Sequence, residues 1–262
     1  MKKVLTIAGS DSCGGAGIQA DLKTFASLRV YGISVVTAVT AQNTTGVYAV
    51  EEVSPAVVTA QIDCLFEDIP VDAVKIGMVS STGIIQAIAQ GLEKWDAQNV
   101  VLDPVMVSKS GSDLLRPDAR DALVNRLLPL ATVVTPNIPE AQALAGRKIT
   151  TVSDMEAAAK AIRDMGPCHV VIKGGHLEGE PVDVFYDGQQ FTPLPARRVA
   201  TKNNHGTGCT FSSAIAACLA LGHSPLEAVR LAKEYITQAI AHSFSIGHGV
   251  GPTHHFFRYY EA

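Results

Sequence analysis

Short apolar runs rich in β-branched residues alternate along nearly the whole chain with longer segments whose apolar residues recur at helical spacing. The runs include Val4-Leu5-Thr6-Ile7-Ala8, residues 32–40, Ala73-Val74-Lys75-Ile76, Val100-Val101-Leu102, residues 131–135 and His169-Val170-Val171-Ile172. Between them the spacing predicts helices over 18–25, 55–66, 84–95, 153–165, 210–221 and 225–244. The fourth of these opens with Ser153 and carries Glu156 three residues on, a capping-box pattern. Apolar strands joined by helical crossovers are buried on both faces, which requires a mostly parallel sheet with helices covering each side. Residues 182–192 depart from this pattern and predict a hairpin turning at Asp187-Gly188. No linker or repeat interrupts the series, so residues 1–262 are expected to form a single α/β domain.

Composition removes several function classes. At 47% hydrophobic and 18% charged, the chain cannot belong to the disordered class. The net charge is −4 and basic residues occur at most in pairs, so a nucleic-acid groove is not expected. The apolar run after Lys2-Lys3 stops at Gly9-Ser10-Asp11, too short for a signal peptide, and no stretch reaches membrane-span length. Five cysteines, an odd number without a CxxC pair, predict free thiols and a cytoplasmic chain.

The polar groups of interest sit where strands end. The first strand leads into a loop with four glycines among residues 9–17, spaced neither as a Walker loop nor as a dinucleotide fingerprint. Asp21 follows early in the next helix, placed for the helix dipole or for a ligand. Gln42 and Asn43 offer donors and acceptors suited to a heterocycle edge, or equally to closing a turn. Asp103 closes the strand at Leu102 and is followed by Pro104; residues 108–112 then read as a mobile loop. Asn137 and Glu140 fit a helix cap, the commoner use, or a hydrated Mg²⁺. Lys173 ends another strand among glycines. Last, Asn204-His205-Gly206-Thr207-Gly208-Cys209 turns into a small-residue helix whose start suits an anion, with Cys209 where the helix field would lower a thiol pKa. Each group has an ordinary structural reading. Together they supply positioning, metal and charge neutralisation, the parts that phosphoryl transfer needs.

The motifs also carry a resemblance. Thr207-Gly208-Cys209-Thr210, preceded by His205-Gly206, resembles the glycine-turn signature of the ribokinase-like superfamily, and Pro136-Asn137-Ile138-Pro139-Glu140 resembles its N-x-x-E magnesium motif. With Gly14-Gly15-Ala16-Gly17, Ala41-Gln42-Asn43-Thr44, Lys75-Ile76-Gly77-Met78, Asp103-Pro104-Val105-Met106, Lys173-Gly174-Gly175-His176 and the tail from Gly247 to Phe256, nearly the whole chain is similar to the hydroxymethylpyrimidine/phosphomethylpyrimidine kinases of the thiamine pathway. The resemblance implies a three-layer ribokinase-like fold. It implies ATP-dependent phosphorylation of 4-amino-5-hydroxymethyl-2-methylpyrimidine, then of its monophosphate. By the same resemblance Gln42 reads the pyrimidine edge, with Gly9, Ala16, Asp21, Met78, Val105 and Cys209 around the substrate. Asp103, Glu140 and Asn137 are implied at Mg²⁺, and Lys173 and Thr207 at the nucleotide. Backbone N–H groups of Gly206, Thr207, Gly208 and Cys209 are implied around the transferred group. A homodimer is expected.

Most kinases of the superfamily carry aspartate where Cys209 stands, and cysteine marks the pyrimidine branch. Cys209 is therefore expected as base or as the group that positions the hydroxymethyl. A pyridoxine/pyridoxal kinase is the nearest alternative; a nucleotide-binding module without catalysis is a second, and a nicotinamide oxidoreductase is disfavoured by the glycine spacing. Cys64, Cys168 and Cys218 are expected in the core, Cys13 has no assigned role, and the tail histidines lack metal-ligand spacing.

Overall fold

The computed structural model describes residues 1–106, 119–175, 177 and 180–260. The expected mobile loop at 108–112, and His176 of the lysine-glycine motif, lie outside the described residues. Nine strands form one sheet: β1 (Lys3–Asp11), β2 (Tyr31–Asn43), β3 (Gly46–Glu52), β4 (Ala73–Ile76), β5 (Val100–Leu102), β6 (Val133–Val134), β7 (His169–Ile172), β8 (Val182–Tyr186) and β9 (Phe191–Pro195). Their spatial order is β3-β2-β1-β4-β5-β6-β7-β8-β9. The pairs from β2 to β7 run parallel, while β3 at one edge and β8 and β9 at the other are antiparallel.

Strand periodicity sorts the core into two layers. Leu5, Ile7, Val74, Ile76 and Leu102 face α2 (Pro55–Asp68), α3 (Thr82–Lys94), α4 (Arg120–Ala122, continuing as helical turns to Leu130), α5 (Ile138–Ala145) and α6 (Val152–Arg163). Val4, Ala73, Val101, Val133 and Val171 face α1 (Gly17–Ser27), α7 (Thr207–Ala220) and α8 (Pro225–Ala241). The three-layer α/β expectation holds.

Every α7 residue from Thr210 to Ala220 is buried, as a helix apolar or small on all sides must be. Its run of Ser212, Ser213, Ala214, Ala216 and Ala217 lets the backbone lie close over β1, β4 and β5. The strand order reverses between β1 and β4, and ligands of open α/β sheets bind beyond the carboxyl ends of strands at such a point.

Several local expectations shift. The cap of α6 is Thr151 with Asp154, not Ser153 with Glu156, because this pair completes the reciprocal bonds two residues earlier. Gln42 and Asn43 are the end of β2 rather than a loop, since the β3 hairpin extends the strand. Cys64 and Cys168 are exposed and only Cys218 of that trio is buried: Cys64 lies on the outer face of α2, and Cys168 follows a turn at Gly166.

Candidate active site

Two loops interlock above the β1/β4 switch. The Asp11 carboxylate accepts from the N–H of Cys13 at 2.8 Å, Gly15 at 3.1 Å and Ala16 at 2.8 Å, and meets His205 Nε2 at 2.9 Å. Burial works to raise its pKa, but His205 and the backbone donors together outweigh it and hold the acid below its ordinary value. A Cβ on Gly15 would strike the His205 ring. Gly206, at φ 77°, would drive a Cβ into the Gly15 carbonyl oxygen. Only glycine permits this contact.

Helix α7 begins three residues before its predicted start, so Thr207, Gly208 and Cys209 form its first turn. No side chain caps it, and the Thr207 hydroxyl instead donates to Asn204 O at 2.7 Å. The start of α1, at Ala16 and Gly17, is likewise without a side-chain cap and lines the same cleft. Two helix N-termini thus face one space, where their dipoles favour negative charge.

Cys209 is half-buried and lines the cleft. Burial pushes its thiol up to about 11; Lys75 and the Gly17 N–H pull the other way, while Asp21 and Asp103 add to the rise. The expected lowering by the helix start is overturned, because desolvation of a thiolate outweighs the cation and N–H donors nearby. At neutral pH the group is S–H.

Across the cleft stand the acids. Asp103 is buried, and its Oδ1 accepts from Lys173 Nζ at 2.9 Å and from Thr135 Oγ1 at 3.2 Å. Burial works against the Lys173 charge, but Asp103 and Glu140 more than offset it and raise its pKa. Asn137 and Glu140 form the reciprocal capping box of α5, with bonds of 2.7 and 2.9 Å. Burial lifts the Glu140 carboxyl to about 7, with Lys173 opposing and Asp103 reinforcing. Cap and ligand readings are therefore compatible: the box fixes Glu140 facing the cleft beside Asp103 and Lys173. No group of three or more His, Cys, Asp or Glu side chains able to hold a metal ion occurs among the described residues. Two acids on one wall suit a hydrated Mg²⁺ shared with phosphate oxygens, which is how that ion is commonly held.

The cleft measures about 650 Å³. Gly9 and Met78 flank its floor, and a Cβ on Gly9 would collide with the Met78 methyl. Ala16, Gln42 and Val105 line it too, with the β2–β3 turn and Val250 forming a wall. Val250 N donates to Thr44 O at 2.9 Å, fastening the tail to that turn. Asp21 is the exception. It is wholly buried, and its carboxylate is taken by Lys75, Thr6 and Ser213, so it neither complements the helix dipole nor meets a ligand.

Three residues escaped the sequence reading: Asp11, His205 and Lys75. Asp11 carried a local signal, an acid entering a glycine loop. The others lie in quoted motifs, but their partners are remote in sequence.

Residues 11–254 match the family described as phosphomethylpyrimidine kinase. The chain is 56% identical to the hydroxymethylpyrimidine/phosphomethylpyrimidine kinase of Rhizobium meliloti over 98% of each chain. It superposes on a phosphomethylpyrimidine kinase of Clostridium difficile with a TM-score of 0.83 at 51% identity, covering 92% of this chain and 100% of that one. It also superposes on a Bacillus subtilis pyridoxal kinase in complex with ADP, with a TM-score of 0.91 at 45% identity over 97% of each.

Proposed function

The chain belongs to the phosphomethylpyrimidine kinase family, and on that premise we propose that it phosphorylates 4-amino-5-hydroxymethyl-2-methylpyrimidine with ATP and then phosphorylates the monophosphate to the pyrophosphate. The observation that carries this reading is the pairing of two uncapped helix starts with the Asp103–Lys173–Glu140 wall across one cleft. The first favours the transferred phosphoryl group; the second is equipped for a nucleotide and its cation.

In this reading Gln42 reads the pyrimidine edge, while Gly9, Ala16, Met78 and Val105 shape the space around the ring. Backbone N–H groups of Gly206, Thr207, Gly208 and Cys209 stabilise charge on the transferred group. Lys173 neutralises nucleotide phosphates and holds the Asp103 carboxylate in place through its 2.9 Å ion pair. Mg²⁺, held by Asp103 and Glu140 with Asn137 fixing the latter, supplies further neutralisation of phosphate charge when bound. Cys209 acts as the hydroxymethyl-positioning group, because an S–H at neutral pH is a donor and not a ready base. Phosphoryl transfer through a loose transition state relies mainly on positioning and electrostatics, so a strong base is not required.

The proposed compartment is the cytoplasm, in keeping with five unpaired thiols; no helix among the described residues is long and apolar enough to cross a membrane. A homodimer is proposed through the β2–β3 edge, where Val39, Tyr48 and Val50 are exposed. Light scattering after gel filtration tests it.

Likeness to a solved pyridoxal kinase favours a second reading, phosphorylation of a vitamin B6 alcohol. One experiment separates them: ATP consumption with each heterocycle, followed by mass analysis. Two added phosphates on the pyrimidine support the first reading, whereas turnover of pyridoxal alone overturns it.

A further inference from the structure

The direction in which the Lys173 side chain leaves the backbone is set by the two peptide planes that flank its Cα, and each plane is pinned from a different side. The Lys173 N–H donates to Pro136 O at 2.9 Å, just beyond the end of β6. The next plane carries the Gly174 N–H, which donates to Asp183 Oδ1 at 2.9 Å. A planar peptide held at its N–H can turn little, so the two bonds together fix both backbone dihedrals of Lys173. The side chain is thereby aimed at Asp103 Oδ1, 2.9 Å from its Nζ. A Cβ on Gly208 would come within 3.4 Å of that Nζ, so the ammonium also lies against the first turn of α7.

Asp183 stands where the sheet stops supplying acceptors. The β7–β8 ladder ends at the pair Ile172 and Val184. Beyond it a side chain on Gly174 would strike the Val182 carbonyl oxygen, so the chain has left the pleat and its N–H needs a different partner. Strand periodicity places Asp183 with Phe185 on the face that packs against α8. There Lys233 Nζ, from the middle of α8, donates to Asp183 Oδ2 at 2.6 Å. Asp183 is buried and Lys233 half-buried. One carboxylate oxygen thus serves α8 and the other serves the loop after Lys173. Without Lys233 the carboxylate would hold an uncompensated charge inside the fold and turn toward water.

We propose that Asp183, anchored by Lys233, is a positioning residue for Lys173 and so sets nucleotide affinity from outside the cleft. Neither Asp183 nor Lys233 lines the cleft, and their effect passes through the peptide plane between Lys173 and Gly174. The proposal rests on the reading of Lys173 as the cation that neutralises nucleotide phosphates. It does not depend on which heterocycle accepts the phosphoryl group.

The test is calorimetric titration with a non-hydrolysable ATP analogue and Mg²⁺, with KM for the heterocycle that is turned over measured alongside. The proteins compared are the unmodified enzyme, Asp183→Leu, Asp183→Asn, Lys173→Ala and the double variant Asp183→Leu/Lys173→Ala. Asp183→Leu is expected to raise the nucleotide Kd about fivefold or more, the size of one net hydrogen bond, with KM for the heterocycle unchanged. Asp183→Asn keeps an oxygen for the Gly174 N–H and is expected to stay within about twofold of the unmodified enzyme. In the double variant the loss should equal that of Lys173→Ala alone, which general loosening of the fold would not give. The positioning role is overturned by an unaltered Kd in Asp183→Leu, by an equal loss in Asp183→Asn, by a parallel rise in the heterocycle KM, or by a further loss on top of Lys173→Ala. An unaltered Kd in Lys173→Ala overturns the reading of Lys173 instead. If Asp183→Leu does not fold, Lys233→Met decides: removing the anchor is expected to raise Kd at least about threefold, and an unchanged Kd overturns the proposal.

Discussion

Asp21 and Lys75 form an ion pair in which neither side chain reaches solvent, with Lys75 Nζ 2.9 Å from both carboxylate oxygens. Thr6 Oγ1 donates to the same carboxylate at 2.6 Å and Ser213 Oγ at 2.7 Å. Ser213 lies one turn beyond Cys209 on the same face of α7. The pair therefore ties β1, α1, β4 and α7 together behind the thiol, and a Cβ on Gly77 would come within 2.6 Å of Lys75 Nζ.

Removing one partner strands a charge in the core. Lys75→Met or Asp21→Leu alone is expected to cost about 3–5 kcal/mol in urea unfolding, and the double variant much less than the sum. Additive losses would show that the two side chains are not coupled.

A thiol at about 11 is ionised only to about one part in a thousand at pH 8. Iodoacetamide should therefore modify exposed Cys64 and Cys168 well before Cys209, as followed by peptide mass analysis. Comparable labelling rates would place a thiolate in the cleft. Turnover should survive Cys209→Ser within about tenfold, since the hydroxyl still donates.

Glu140→Gln keeps an oxygen to accept from Asn137 N–H, so the cap should persist and stability change by less than about 1 kcal/mol. The Mg²⁺ concentration for half-maximal rate should rise by about tenfold or more. Asn137→Ala is expected to cost about 1 kcal/mol through the lost cap. An unaltered Mg²⁺ requirement in Glu140→Gln would remove that residue from the cation site.

His255 is buried against Thr210 Oγ1, 3.0 Å from its Nε2, and burial, with Lys23 and His254 adding, pushes its imidazole down to about 3 from an ordinary 6.5. Between those values the unfolded chain binds a proton that the native state refuses. Stability thus falls as pH drops through that window, by at most about 1.4 kcal/mol per pH unit from this group. His255→Gln should flatten the difference between urea midpoints at pH 7 and pH 5. An unchanged slope would exonerate the histidine.

Much of the scaffold was legible because its signals are local. Continuous apolar runs such as Val100-Val101-Leu102 marked strands buried on both faces, and Asp187-Gly188 marked the β8–β9 turn, where Gly188 has φ 97°. β3 was not legible, since an edge strand with exposed Tyr48 and Val50 shows its period only beside β2. Glycine turns and strand-end polar groups likewise announced the cleft, and every named candidate except Asp21 lines it.

By itself the sequence determined where most of the strands and helices lie, that the sheet is mostly parallel, and which strand ends carry acids, amides and a lysine. Periodicity and turn chemistry are properties of neighbouring residues. Tertiary structure decided which charges find partners: Asp21 meets Ser213 across 192 positions, and Asp11 meets His205 across 194. It also decided the state of Cys209. Proximity to a helix start is written in the sequence, but the desolvation that keeps the thiol protonated arises only when α1, α7 and the sheet close around it.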